Sequence, residues 1–255
     1  MALDKNSNAG TFLFAIAMVV VVGASLSFAA MSLKPRQVEN AIQKEMINIL
    51  SSVGVQADRD NVKDLFYANV KERVTINYRG EILATAEGEI DPNDEKDPFN
   101  VDVKKEFRDP KLKAEDRNYP MYRVTADGKD LLVIPMVGKG LWGPIWGYVA
   151  LEGDYNTIYG AVFSHKSETP GLGAEISEGF FQEPFEGKRI YNDDGKLVSI
   201  DVKKGGADAS NPHAVDGITG GTITSVGVQE MLRRTLSVYD KYFQENKEKQ
   251  ISKLR

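Results

Sequence analysis

The chain has 255 residues, 42% apolar and 27% charged, with a formal net charge of −5. That is enough for a buried core, too apolar for wholesale disorder, and too acidic, with no basic cluster, for nucleic-acid binding. It has no cysteine and only two histidines, His165 and His213, which excludes disulfides, iron–sulfur clusters and thiol catalysis and disfavours a His-rich metal site or bis-histidine haem, so any electron transfer here calls for an organic cofactor.

A short N-terminal tail (residues 1–9) precedes an uncharged run, residues 10–33, reading GTFLFAIAMVVVVGASLSFAAMSL. As a helix it would span ~36 Å, enough to cross a hydrocarbon core of ~30 Å. The run reads as a retained membrane anchor. A cleaved signal is the competing reading, because Ser27-Phe28-Ala29 resembles a small-x-small cleavage site. Gly23 and Ser27, with Ala30 nearby, could pack against partner helices. Lys5 lies on one side of the run, Lys34 and Arg36 on the other, so charge alone does not orient it.

Residues 34–65 read as a membrane-proximal helical segment. Its helix follows Pro35 and covers residues 37–50, with Val38, Ala41, Ile42, Met46, Ile49 and Leu50 at helical spacing and Gly54 as its stop. Residues 66–245 read as one α+β domain, and residues 246–255 as a polar, frayed tail. The domain opens with a hairpin, residues 74–78 and 82–85 around Arg79-Gly80. Residues 91–118, dense in charge and holding Pro92, Pro98 and Pro110, read as an exposed, irregular insertion. Strand-like runs follow at 122–124, 131–137, 148–151 and 161–163. Gly138, Gly140, Gly143 and Gly147 break up the segment that holds Trp142 and Trp146. Those tryptophans either pack the core or shield a cofactor. The two histidines read as surface or loop residues. A final helix carries the stripe Val228, Met231, Leu232, Thr235, Val238, Tyr239, Tyr242 and Phe243, with Ser225 as its N-cap.

The segment most suggestive of chemistry is DGITGGTITS, residues 216–225. Its glycines allow close backbone approach to a bulky anion, and a helix N-terminus attracts negative charge. By physics alone it is either a phosphate-binding loop or a Gly-rich turn with a hydroxyl cap. It matches neither the Walker A nor the dinucleotide spacing.

Asp216-Gly217-Ile218-Thr219-Gly220-Gly221-Thr222 resembles the flavinylation signature of the FMN-binding domain family, with Gly221 where that family usually has alanine. Further segments are similar to the C-subunit family of the sodium-translocating NADH:quinone oxidoreductases: Lys204 to Ala207 followed by Ala214 to Gly217, Thr222 to Gln229, Gly138 to Trp142, Ala150 to Glu152 and Glu168 to Gly173. The resemblance covers most of the chain. It implies a single N-terminal transmembrane helix followed by an extracytoplasmic FMN-binding domain, a twisted, mainly antiparallel sheet with flanking helices. It implies one FMN esterified through its phosphate to Thr222, with Asp216, Gly217, Thr219, Gly220, Gly221 and Thr224 around the attachment point. It places Glu168, Thr169, Leu172 and Gly173 against the flavin, and assigns no metal ligand.

The implied partners are the membrane, the other subunits of the NADH:quinone oxidoreductase complex, and a flavin transferase that uses FAD and Mg2+. The implied location is the bacterial inner membrane, single-pass, with the flavin domain periplasmic. The implied role is electron transfer toward quinone as a subunit, not a complete enzyme. Two alternatives stand beside it: the G subunit of an Rnf-type electron-transport complex, and an extracytoplasmic sensor or ligand-binding module. The short segment before the membrane run leaves little room for a sensor's output domain.

Overall fold

The computed structural model describes residues 7–253. The chain falls into two compact units, residues 1–45 and 46–255.

Helix α1 (Asn8–Ser52) is continuous for 45 residues and runs through Pro35. The expected break between an anchor and a second helix is absent. A proline costs an interior helix ~3 kcal/mol through its missing N–H and its steric bulk. The good helix formers around it (Ala29, Ala30, Met31, Leu33, Lys34, Arg36, Gln37) carry the helix past that single defect. Over residues 10–33 the helix carries no charge and exposes apolar side chains: Phe12, Val19 and Phe28 are each more than 70% exposed. Such a helix needs a bilayer or partner helices to cover it, and α1 is long and apolar enough to cross a membrane. Residues 1–6 of the tail lie outside the described residues.

The second unit begins inside α1, whose Met46, Ile49 and Leu50 are buried. Gly54, at φ +77°, takes the left-handed conformation just after the helix. Helix α2 (Val62–Asn69) follows, then a six-stranded antiparallel sheet. Its strands are β1 (Val70–Ile76), β2 (Ile82–Ala86), β3 (Tyr119–Ala126), β4 (Lys129–Lys139), β5 (Pro144–Leu151) and β6 (Ile158–His165), in spatial order β2-β1-β3-β4-β5-β6. The hairpin expected from the sequence is β1–β2, with Val74 opposite Thr85. The α+β class and the antiparallel sheet hold.

Two glycines read as breakers are strand residues. Gly138 pairs with Ile145, and Gly147 pairs with Met136. Each is there for close packing: a Cβ on Gly138 would lie 2.8 Å from Met231, and one on Gly147 would lie 2.5 Å from the Phe163 ring. Only Gly140 and Gly143 belong to the turn between β4 and β5, where the Gly140 N–H donates to the Gly143 carbonyl at 2.8 Å.

The insertion between β2 and β3 holds two 3-10 turns (Pro98–Asn100 and Ala114–Asp116) and helix α3 (Val103–Arg108). It is not exposed throughout: Asp97, Pro98 and Phe99 are buried. The physical reason is Arg73 on β1, itself 1% exposed, whose Nε and Nη2 donate to the two Asp97 oxygens at 2.9 and 2.7 Å. Phe99 follows Asp97 into the domain and packs edge-on to Phe66 and Tyr122.

After β6 come a 3-10 turn (Gly173–Ser177), helix α4 (Gly179–Gln182), and a parallel pair of three-residue strands, β7 (Asp201–Lys203) and β8 (Ala214–Asp216). This pair was not foreseen, because three residues are too few to show an alternation. Helix α5 (Thr222–Lys253) closes the chain and runs on into the stretch read as a polar tail. Every residue of its predicted stripe is buried. Strand residues two apart share a face of the sheet. Leu132, Ile134 and Met136 of β4 thus join Val228, Met231, Leu232, Leu236 and Tyr239 of α5 in one core.

Candidate functional site

The loop from β8 to α5 is pinned at both ends. The Gly217 N–H donates to the Lys203 carbonyl at 2.8 Å, and a Cβ at Gly217 would stand 3.1 Å from that oxygen. The Ile218 N–H donates to Ser225 Oγ at 3.0 Å. Ser225 is therefore not the N-cap. Helix α5 starts three residues earlier, at Thr222, and the Ser225 hydroxyl turns back to hold the loop. Gly220 sits at φ +77°, where a Cβ would also strike Leu172 Cδ2 at 2.6 Å.

The first intrahelical bond of α5 runs from the Ser225 N–H to the Gly221 carbonyl, at 2.9 Å. The N–H groups of Thr222, Ile223 and Thr224 precede that ladder, at the electropositive end of a 32-residue helix. The three nearby threonines differ in access. Thr219 is exposed on the loop, Thr222 is half-buried at the helix start, and Thr224 is 1% exposed with its hydroxyl donating to Glu168 Oε2 at 2.5 Å.

Glu168 lies in the turn after β6 and is 5% exposed. Its Oε1 accepts the Trp142 backbone N–H at 2.8 Å, and its own N–H donates to His165 Nδ1 at 3.1 Å. Glycines let the segments close around it. A Cβ on Gly140 would lie 2.6 Å from Oε1, and one on Gly173 would lie 2.6 Å from Oε2. A Cβ on Gly221 would lie 3.2 Å from the Gly173 nitrogen. The Thr169 carbonyl accepts from the Leu172 and Ala174 N–H groups at 3.1 Å each, which shapes the turn.

Glu168, Leu172, Gly173, Gly220, Gly221 and Thr224 thus meet directly, with Thr222 one residue from Gly221. Thr169 is exposed and acts locally through its carbonyl. Asp216, also exposed, accepts the Ala207 N–H on Oδ1 at 2.5 Å and so ties residues 205–207 to the loop. Asp216, Gly217 and Thr219 line a cleft of about 840 Å3 together with Phe180, Pro184 and Ile218.

Trp142 is not a core residue but 65% exposed, and Leu141, Leu172, Ile223 and Val226 are exposed as well. Trp146 is half-buried, with Lys104 Nζ 3.9 Å from the centre of its ring. Of the histidines, His165 accepts the Glu168 N–H, and His213 Nδ1 lies 2.6 Å from the Arg189 carbonyl. Sequence reasoning missed the contact of Glu168 with Thr224 and Trp142. The only available signal was a glutamate beside a Pro-Gly turn.

This arrangement, an open helix start reached through closely packed glycines, suits a phosphate-bearing ligand. The FMN-binding domain family matches residues 140–237, a span that runs from the Gly140 turn through Glu168 and the 216–222 loop into α5. The C subunit of the Na(+)-translocating NADH-quinone reductase of Neisseria meningitidis serogroup B is 33% identical over 230 residues, 89% of this chain and 88% of its own. That of Pseudomonas aeruginosa is 32% identical over 249 residues, 90% and 91% of the two chains. The crystal structure of the corresponding subunit from Parabacteroides distasonis has 38% identity and a TM-score of 0.70, covering 83% of this chain and 96% of its own. The class is thus a flavin-binding domain behind an apolar N-terminal helix. More particularly, the chain belongs to the C-subunit family of the Na(+)-translocating NADH-quinone reductases.

Proposed function

We propose that this chain is the subunit of a sodium-pumping NADH:quinone oxidoreductase that carries one FMN, joined by a phosphoester to Thr222, and relays electrons between partner redox subunits toward quinone. The observation that carries the attachment site is the position of Thr222. It is the first residue of α5, beside three backbone N–H groups that precede the helical ladder. There a phosphodiester's single negative charge is stabilised by the helix N-terminus. Thr224 is buried with its hydroxyl engaged, and Thr219 lies ahead of the helix. Glycines at 217, 220 and 221 leave the backbone open to the phosphate, and Asp216 holds the loop in shape.

When bound, FMN supplies reversible electron acceptance, which no side chain here offers. The chain's part is to hold it. An unassisted threonine hydroxyl is a weak nucleophile, so attachment calls for a flavin transferase with FAD and Mg2+. The Thr222 Oγ1–P bond forms, the pyrophosphate P–O bond breaks, AMP leaves, and the hydroxyl proton passes to solvent. In this reading residues 10–33 cross the inner membrane as a retained anchor, and residues 66–245 form the flavin domain in the periplasm. The Rnf-type alternative is disfavoured by relatives that are C subunits of the Na(+)-translocating NADH-quinone reductase and align over about nine-tenths of both chains.

The test is peptide mass spectrometry of the chain co-expressed with its transferase. The wild type should carry FMN less water on the peptide holding Thr222. Thr222→Ala should carry none and still fold, and Thr222→Ser should retain some. The added mass on Thr219 or Thr224, or its persistence in the alanine variant, would refute the assignment.

A further inference from the structure

Glu168 is a carboxylate almost entirely withdrawn from water, and the partners of its two oxygens are uncharged: the Trp142 N–H and the Thr224 hydroxyl. Burying a carboxylate among neutral donors is unfavourable, and an apolar side chain would fill the space at less cost. A carboxylate does there what an amide cannot. Both of its oxygens accept, whereas glutamine offers one acceptor and one donor. The Trp142 N–H can only donate, so glutamine would keep its oxygen there and turn its NH2 toward Thr224, whose hydroxyl would accept a neutral bond in place of the charge-assisted one. The carboxylate also faces the first turn of α5, where the helix dipole favours negative charge.

The three segments it joins are the β4–β5 turn, the 168–173 turn, and the start of α5, which carries Thr222. Gly140 and Gly173 have no side chain where one would collide with its oxygens, so the backbone is built around this group.

We propose that Glu168 is a positioning residue for flavin attachment. Through Thr224 it locks the first turn of α5 in place before the flavin arrives, so that the Thr222 hydroxyl is presented to the transferase at the helix start. This rests on the assignment of Thr222 as the acceptor. The inference concerns attachment geometry, with Glu168 acting through the Thr224 hydroxyl.

The test uses the full-length chain. Hydrogen exchange on protein made without the transferase reads the order of residues 225–228, and the rate of flavin attachment is then followed with transferase, FAD and Mg2+. Glu168→Leu and Thr224→Val should each slow attachment about tenfold, the scale of a lost charge-assisted hydrogen bond. The double variant should be no slower than either single one, because both remove the same link. Thr224→Ser keeps the donor and should attach at the wild-type rate. Exchange at 225–228 should quicken in the first two variants while the global melting temperature stays within a few degrees. Wild-type attachment rates in both variants, multiplicative losses in the double variant, or a slowing that merely tracks a lower melting temperature would overturn the proposal. A wild-type chain without flavin on Thr222 would sink the acceptor assignment instead. The exchange measurement would then still decide whether Glu168 orders the turn.

Discussion

At Gly173 and Gly221 a single methyl group separates two outcomes. Neither residue has a positive φ, so space alone decides the effect of alanine. A Cβ on Gly173 would press on Thr224 Oγ1 and stand 2.6 Å from Glu168 Oε2, two atoms already bonded to each other. Gly173→Ala should therefore cost ~1–3 kcal/mol by overpacking and lower flavin attachment. At Gly221 the nearest atoms are Ile218 Cγ2 at 3.0 Å and the Gly173 nitrogen at 3.2 Å, a fit that needs a shift of a few tenths of an ångström. Alanine also removes ~0.4–1 kcal/mol of unfolded-state freedom, so Gly221→Ala should be nearly neutral. Urea unfolding of both variants checks the order, and a larger loss at Gly221 would contradict it. The glycine-rich loop that leads into Thr222 was legible in the sequence because its motif is contiguous. The engagement of Thr224 was not, because its partner lies 56 residues away and no local pattern encodes that pairing.

Elements were legible where they repeat a period. The apolar stripe of α5 and the long apolar runs of β4 and β5 announce themselves, while β7 and β8 at three residues each do not. The insertion between β2 and β3 misled for a different reason. Its charge density reads as solvated, yet one of its aspartates is the counter-ion of a buried arginine on β1. This pair fixes a loop to a strand. Arg73 uses Nε and Nη2 on Asp97 and Nη1 on the Gly88 carbonyl, at 2.8 Å. Breaking a buried pair strands a charge, at ~3–5 kcal/mol. Asp97→Ala should lose that much in urea unfolding and open residues 89–118 to limited proteolysis. Lys96→Ala, next door but exposed, should stay within ~0.5 kcal/mol of wild type. Equal losses from the two would mean that the salt bridge is not what holds the insertion.

For the molecule as a whole, the open consequence of the fold is which side of the membrane the flavin domain occupies. At 1.5 Å per residue the stretch of α1 in the first unit, residues 8–45, reaches ~57 Å, longer than a hydrocarbon thickness of ~30 Å, so an anchor at residues 10–33 leaves part of this helix beyond one face of the bilayer. Charge does not choose that face in favour of the proposed topology. Lys34, Arg36 and Lys44 follow the apolar run, and Lys5 and the amino terminus precede it, a near balance whose small lean is toward keeping the domain inside. Large folded domains translocate with little regard to such small biases, and the periplasmic assignment follows from the resemblance. The absence of cysteine makes the test clean, since an introduced thiol is the only one in the chain. Glu89 is exposed in the domain, and Ala2 precedes the apolar run. In intact spheroplasts a membrane-impermeant maleimide should label Glu89→Cys and leave Ala2→Cys unlabelled until the membrane is permeabilised. Labelling of Ala2→Cys alone would put the domain in the cytoplasm, where free FMN is available and a covalent tether loses its advantage.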